Sequence, residues 1–259
     1  MLYALITGAS KGIGKAIAEE LAARKVNLLL IARSDDLLKE ITADLSTRFQ
    51  VQADSLAIDL ADPGSPALIA AWLQEKNYKL NILVNNAGYG LSGAFDHYTA
   101  KEHGDMMRVN MQVPVELTAL LIPQLKQHTK SYILNIASSA AYQAVPGLSV
   151  YAASKAFLLS FSRGLRYELR KTGISVTAVS PGATDTGFSN RAQVGKKALK
   201  AAEKFNMNPQ AVAKIAVDAM FASKTETVTG FVNKLGAFLV WALPKGLTEK
   251  AAAGLYDMD

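Results

Sequence analysis

Thr7-Gly8-Ala9-Ser10-Lys11-Gly12-Ile13-Gly14 follows directly on an apolar run at residues 2–6 and opens a stretch of helical period at 12–24. Glycines in a turn between a strand and a helix let the backbone come close to a bound group. The helix beyond them presents free N–H groups and the positive end of its dipole, a ready site for a pyrophosphate. The spacing is G-x-x-x-G-x-G rather than the commoner G-x-G-x-x-G, but the strand–turn–helix setting is that of a dinucleotide site. A tight turn with no ligand is the bland alternative, and the flanking pattern counts against it. Gly8, Ser10, Lys11, Gly12, Ile13 and Gly14 are therefore the first candidate cofactor residues.

Outward from this turn, strand-length apolar runs fall at 2–6, 26–31, 55–58, 82–84, 132–136, 175–179 and 227–232. Helical stretches alternate with them at 12–24, 37–49, 66–76, 105–127, 150–171 and 209–222. Such alternation reads as successive βαβ units, and the nearly continuous apolar strands suit a sheet covered on both faces. The prediction is an α/β fold of Rossmann type, a doubly wound sheet of about seven parallel strands with helices on both faces. Residues 1–259 read as one domain, with a lid over the substrate at 187–208 and an apolar C-terminal segment at 231–259.

Composition narrows the function classes. Of 259 residues, 50% are hydrophobic and 19% charged, which excludes a disordered chain. There is no cysteine, so no disulfide scaffold and no thiolate metal site. The balance of 28 basic and 22 acidic residues gives a net charge of +6, spread along the chain. This suits a small polyanion better than a nucleic acid. The start of the chain has no secretory pattern, and the longest uncharged apolar run, 235–243, is far shorter than the roughly 20 residues of a membrane span. The expected location is cytoplasmic. His97, His103 and His128 lack ligand spacing and read as surface or loop residues, so no metal is expected.

The end of the second strand selects the cofactor. An acidic residue there would hold the ribose 2′-hydroxyl of NAD, but the chain reads Ile31-Ala32-Arg33. A planar guanidinium pairs with a 2′-phosphate, and Lys11 adds a second cation. The expectation is NADP(H); the bland alternative pairs Arg33 with Asp35 or Asp36.

Tyr151-Ala152-Ala153-Ser154-Lys155 sets a phenol and an ammonium at i and i+4 on one helix face, where the cation favours the phenolate. Ser138 lies thirteen residues upstream, just past a strand, placed to hydrogen-bond a substrate carbonyl. The motif is not unique: Tyr167-Glu168-Leu169-Arg170-Lys171 repeats it, again with a serine, Ser154, thirteen residues before. At about 100° per residue the two tyrosines point roughly 160° apart on one helix, and only Ser138 stands at a strand's carboxyl end. Tyr167 and Lys171 are read as surface residues.

Taken in order, TGASKGIG at 7–14, Asp59, NNAG at 85–88, Asn110, Ser138, Tyr151 with Lys155, and Pro181-Gly182 resemble the short-chain dehydrogenase/reductase family from residue 2 to about residue 230. The resemblance implies that Tyr151 is the general acid, that Lys155 tunes it and holds the nicotinamide ribose, and that Ser138 orients the carbonyl. It further implies that Asn110 anchors a proton-relay water and that Asp59 and Leu60 sit at the adenine. Asn86, Ala87 and Gly88 would run along the cofactor, with Pro181, Gly182, Thr184 and Thr186 beside the nicotinamide and phosphates. The chain itself adds that Pro114, four residues after Asn110, cannot donate a helical hydrogen bond to the Asn110 carbonyl. The alternative is a kink that serves packing alone.

The expected function is NADPH-dependent reduction of a ketone or aldehyde with an apolar body, such as an oxoacyl or steroid-like compound. Alcohol oxidation and a non-catalytic NADP(H) sensor are the alternatives. Lys196, Lys200 and Lys204 read as a solvated lid face, with a contact for an anionic carrier or membrane surface as the alternative, and Asp185 reads as a turn cap. The apolar stretch from Phe231 to Pro244 replaces the glycine-rich end common in the family. Its bland reading is a helix packed on the core or on a subunit; its sharper one is a wall for an apolar substrate or a contact with lipid. A homodimer or homotetramer is expected, with a small carbonyl or alcohol substrate.

Overall fold

The computed structural model describes residues 2–195, 199–200 and 206–254. Seven strands, β1 (Tyr3–Thr7), β2 (Asn27–Ala32), β3 (Ala53–Ala57), β4 (Leu80–Asn85), β5 (Ser131–Ile136), β6 (Ile174–Ser180) and β7 (Glu226–Val228), form one sheet in the order β3-β2-β1-β4-β5-β6-β7. Every neighbouring pair is parallel. The order reverses between β1 and β4, and that switch point is where open α/β sheets leave a crevice for ligands.

The strands read as unbroken apolar runs because alternate residues serve opposite cores. In β2, Leu28 and Leu30 join the side built on α1 (Gly12–Ala23), α2 (Asp35–Phe49) and α8 (Pro209–Phe221), whose Leu21, Leu38 and Met220 are fully buried. Leu29 and Ile31 join the opposite side, where Ile69 of α3 (Ser65–Glu75), Leu117 of α5 (Val113–Leu125) and Leu165 of α6 (Ser149–Glu168) pack.

Two elements differ from expectation. The long helix read at 105–127 begins at Ala100 as α4 (Ala100–Met107), where Thr99 and Glu102 form a reciprocal capping box. It then passes through a π-helical turn, Arg108–Gln112, before α5, with the Val113 N–H donating to the Arg108 carbonyl. Pro114 opens α5, so the missing N–H falls where the ladder is already broken. The last strand, read at 227–232, stops at Val228. Gly230 turns with φ +77°, and Phe231 starts α9 (Phe231–Ala242), followed by α10 (Lys245–Ala253).

A third correction concerns His103, which is buried in α4 rather than at the surface. Its ring stacks on Phe95 at 4.6 Å and its Nε2 lies 3.0 Å from the Phe95 carbonyl. Part of the expected lid, with Lys196 and Lys204, lies outside the described residues. Its two ends are tied: the Met207 N–H donates to Ala183 at 3.0 Å, and the Asp185 N–H to Met207 at 3.2 Å. Between them α7 (Phe188–Arg191) opens the lid.

Candidate active site

The site is a cleft of about 520 Å³ over the carboxyl ends of β1, β4, β5 and β6. Its root is a clasp across the switch point. Thr7 Oγ1 donates to the Val84 carbonyl and accepts the N–H groups of Asn86 and Ala87, each at 3.0 Å. Asn86 Nδ2 returns two bonds, to the Thr7 and Gly8 carbonyls at 2.9 and 3.2 Å. The strand-end loops are thus held against each other before any ligand arrives.

The glycine turn has no room for side chains. A Cβ on Gly14 would lie 2.3 Å from the Gly8 carbonyl oxygen, and one on Gly8 would lie 2.9 Å from Ala87 Cα. Gly12 sits at φ +57° with Thr186 against it. This backbone cradle at the start of α1 fits a pyrophosphate. Every residue expected to hold the cofactor lines this one cleft, from the glycine turn through Arg33, Asp59, Leu60 and Asn86–Gly88 to Pro181, Gly182, Thr184 and Thr186.

Arg33 pairs with neither Asp35 nor Asp36 among the described residues. It lies 3.9 Å from Asp59 with both side chains largely exposed, while Asp35 engages Lys39. So loose a contact leaves the guanidinium free to turn to a phosphate.

Ser138, Tyr151 and Lys155 line the same cleft. Ser138 follows β5 and its Oγ accepts the Ala140 N–H at 3.1 Å, leaving the hydroxyl hydrogen to point elsewhere. Lys155 is buried; its Nζ donates to the Ile136 carbonyl at 2.9 Å and lies 5.8 Å from the Tyr151 ring centre. Burial depresses its pKa to about 8. The second motif is elsewhere: Tyr167 is 68% exposed, with the Arg170 guanidinium over its ring at 3.9 Å.

Asn110 stands behind the cleft, fully buried in the π-helical turn. Its Oδ1 accepts the Tyr89 N–H at 3.1 Å, and its Nδ2 donates to the Tyr89 carbonyl at 2.9 Å and to Ser154 Oγ at 3.0 Å. Ser154 in turn donates to the Tyr151 carbonyl at 2.7 Å. The serine that belonged to the second motif therefore joins Asn110 to the helix that carries Tyr151. A Cβ on Gly88 would meet Asn110 Oδ1 at 3.0 Å and Lys155 Nζ at 3.1 Å, so these two groups converge on the glycine from the cleft floor.

Among the cleft residues that carry no motif, Tyr89, Phe188 and Arg191 lie against the site's rings and charges. Tyr89 directly follows the stretch 85–88, and Phe188 stands at the start of the expected lid with its ring 5.2 Å from that of Tyr151. Arg191 lies at the end of α7, 4.0 Å above the Tyr89 ring. Desolvation, with Arg33 nearby, lowers its pKa. Adjacency to a motif is the signal for Tyr89, whereas Phe188 and Arg191 fall inside the expected lid at 187–208, where no motif singles them out. Among the described residues, none after residue 230 lines the cleft.

The fold and this cleft define a dinucleotide-binding α/β protein with a serine, a tyrosine and a lysine gathered in the cofactor groove. The chain belongs to the short chain dehydrogenase family, whose profile matches residues 2–197. It is 35% identical over 183 residues to a very-long-chain 3-oxoacyl-CoA reductase of Danio rerio, covering 69% of this chain and 57% of that protein. It is 32% identical over 181 residues to the inactive hydroxysteroid dehydrogenase-like protein 1 of Homo sapiens, covering 69% and 54%. The chain thus spans a little over half the length of these two relatives. Among solved structures, a short-chain dehydrogenase of Sphingobium yanoikuyae in complex with NADPH is 31% identical, with 95% of each chain covered and a TM-score of 0.83. Among the described residues no helix is long and apolar enough to cross a membrane.

Proposed function

We propose that the protein is an NADPH-dependent reductase of a ketone or aldehyde with an apolar body. The observation that carries this reading is a single cleft that holds both a phosphate cradle with Arg33 and the trio Ser138, Tyr151 and Lys155. Bound there, a reduced nicotinamide would supply a hydride to the carbonyl carbon. Tyr151 gives its phenolic proton to the carbonyl oxygen, and the Lys155 ammonium favours the phenolate left behind. Ser138 donates its free hydroxyl hydrogen to the same oxygen and steadies the charge that develops on it. Leu148, Phe188 and Val194 supply an apolar wall for the rest of the substrate. Asn110 holds the Tyr89 loop and α6 in register, and the family resemblance gives it the water of a proton relay to Lys155. The relative named as an oxoacyl-CoA reductase and the neighbour bound to NADPH support this reading.

The human relative called inactive favours a second reading, in which the fold binds the nucleotide and turns nothing over. Calorimetric titration with NADPH and NADH, on the wild type and on Arg33→Ala, tests the cofactor. Charge-assisted bonds to one phosphate correspond to roughly tenfold to a hundredfold tighter NADPH binding, a gap that Arg33→Ala should close. An unchanged ratio in that variant overturns the assignment of Arg33. Tyr151→Phe should lower turnover by about 10²- to 10⁴-fold across a ketone panel with NADPH affinity kept. A wild type that binds NADPH but reduces nothing in the panel supports the sensor.

A further inference from the structure

Helix α9 is turned inside out. A surface helix ordinarily points its large apolar side chains at the core and its small or polar ones at water. In α9 the partly covered side facing the domain is Asn233, Gly236, Ala237 and Val240, and none of its twelve residues is buried. Phe231, Leu235, Phe238, Leu239 and Trp241 point outward, Phe231 80% and Trp241 77% exposed. Phe238 and Trp241 pair with each other at 5.9 Å instead of with the core. Leu247 of α10 is likewise exposed. So many large apolar side chains on one exposed helix face mark a contact with something outside the domain.

The charges around the patch indicate what that is. No acidic residue occurs from 227 to 248, whereas Lys234 and Lys245 lie within that stretch and Lys250 follows Glu249. A second copy docked about a two-fold axis would bring the same patch, lysines included, against itself. An anionic headgroup layer instead offers phosphates to the lysines, an acyl boundary to the phenylalanines and leucines, and the interface to Trp241. Twelve residues make a helix about 18 Å long, which can lie in a membrane surface but cannot cross it. We propose that α9 and α10 dock the protein on an anionic lipid surface. The root of the docked helix abuts the cleft, since Asn233 fills the space that a side chain at Gly182 would need.

The chain has two tryptophans, and Trp72→Phe leaves Trp241 as the sole tryptophan, read by excitation to the red of the tyrosines. With vesicles of mixed phosphatidylglycerol and phosphatidylcholine, its emission should shift to the blue and the protein should float with the lipid. Lys234→Ala should weaken binding about fivefold. Phe238→Glu should abolish it while circular dichroism stays unchanged, so loss of binding is not loss of fold. The readout needs no cofactor, so its failure is separate from failure of the reductase reading. No flotation with anionic vesicles overturns the proposal, as does equal flotation with pure phosphatidylcholine. A dimer in light scattering that Phe238→Glu disperses, with no vesicle binding, assigns the face to a second copy and also overturns it.

Discussion

Lys155 is a cation kept inside the protein at an energetic cost that depends on pH. Its surroundings satisfy one of its three hydrogens with the Ile136 carbonyl, and desolvation sets its folded pKa at about 8 against an ordinary value of 10.5. Below pH 8 the folded and unfolded chains both carry the proton, and the folded state bears the full penalty. Between about 8 and 10.5 the unfolded chain binds more protons than the folded one, so stability rises with pH. A shift of this size corresponds to about 3 kcal/mol. In the absence of cofactor, denaturant midpoints measured from pH 7 to 10.5 should therefore show the wild type gaining stability relative to Lys155→Met. A gap that stays constant across that range would mean that the ammonium is better solvated than its burial implies.

At the scale of elements, the π-helical turn is what brings Asn110 under the cleft. Its carboxamide makes three bonds to Tyr89 and Ser154, and so links α4, the loop after β4 and α6. Asn110→Leu would strand the Tyr89 N–H, the Tyr89 carbonyl and one acceptor site on Ser154 inside the protein. The expected loss is about 2–4 kcal/mol in chemical denaturation, accompanied by reduced turnover. Tyr151→Phe should reduce turnover without a comparable loss of stability, and equal stability effects in the two variants would deny Asn110 its clasping role. This turn was partly legible in the sequence, because a proline inside an apolar helical run has to break the ladder somewhere. The strands were legible because a buried parallel strand must be apolar on both faces, and the glycine turn because backbone contact admits no side chain there. The orientation of α9 was not legible. Apolar periodicity says that a face will be covered and not by what, so a helix whose large side chains point outward reads like one that packs inward. Arg191 was hidden for another reason, since it reaches the cleft along a lid whose path no local pattern encodes.

For the whole molecule, the sheet gathers into one groove three segments far apart in sequence: Gly8–Gly14 after β1, Asn86–Gly88 after β4, and Pro181–Thr186 after β6. Thr7 and Asn86 lock the first two together, Thr186 rests on Gly12, and the Thr184–Met207 bridge ties the third to the far end of the lid. A ligand lying along this groove touches all three, so its binding energy should appear as a shared reduction in local opening rather than at the glycine turn alone. Amide hydrogen exchange with and without saturating NADPH should then slow at the three segments together, and at residues 206–208, which share the bridge. At about a hundred times the dissociation constant, linkage adds roughly 2.7 kcal/mol to global stability, or several degrees in a thermal melt. Protection confined to residues 8–14 would mean that the pyrophosphate is held while the nicotinamide end stays outside the groove. Tyr151 and Ser138 would then lie too far from the cofactor to act with it. Protection at all three segments would place the reactive end of the cofactor beside them, as the proposed reductase chemistry requires.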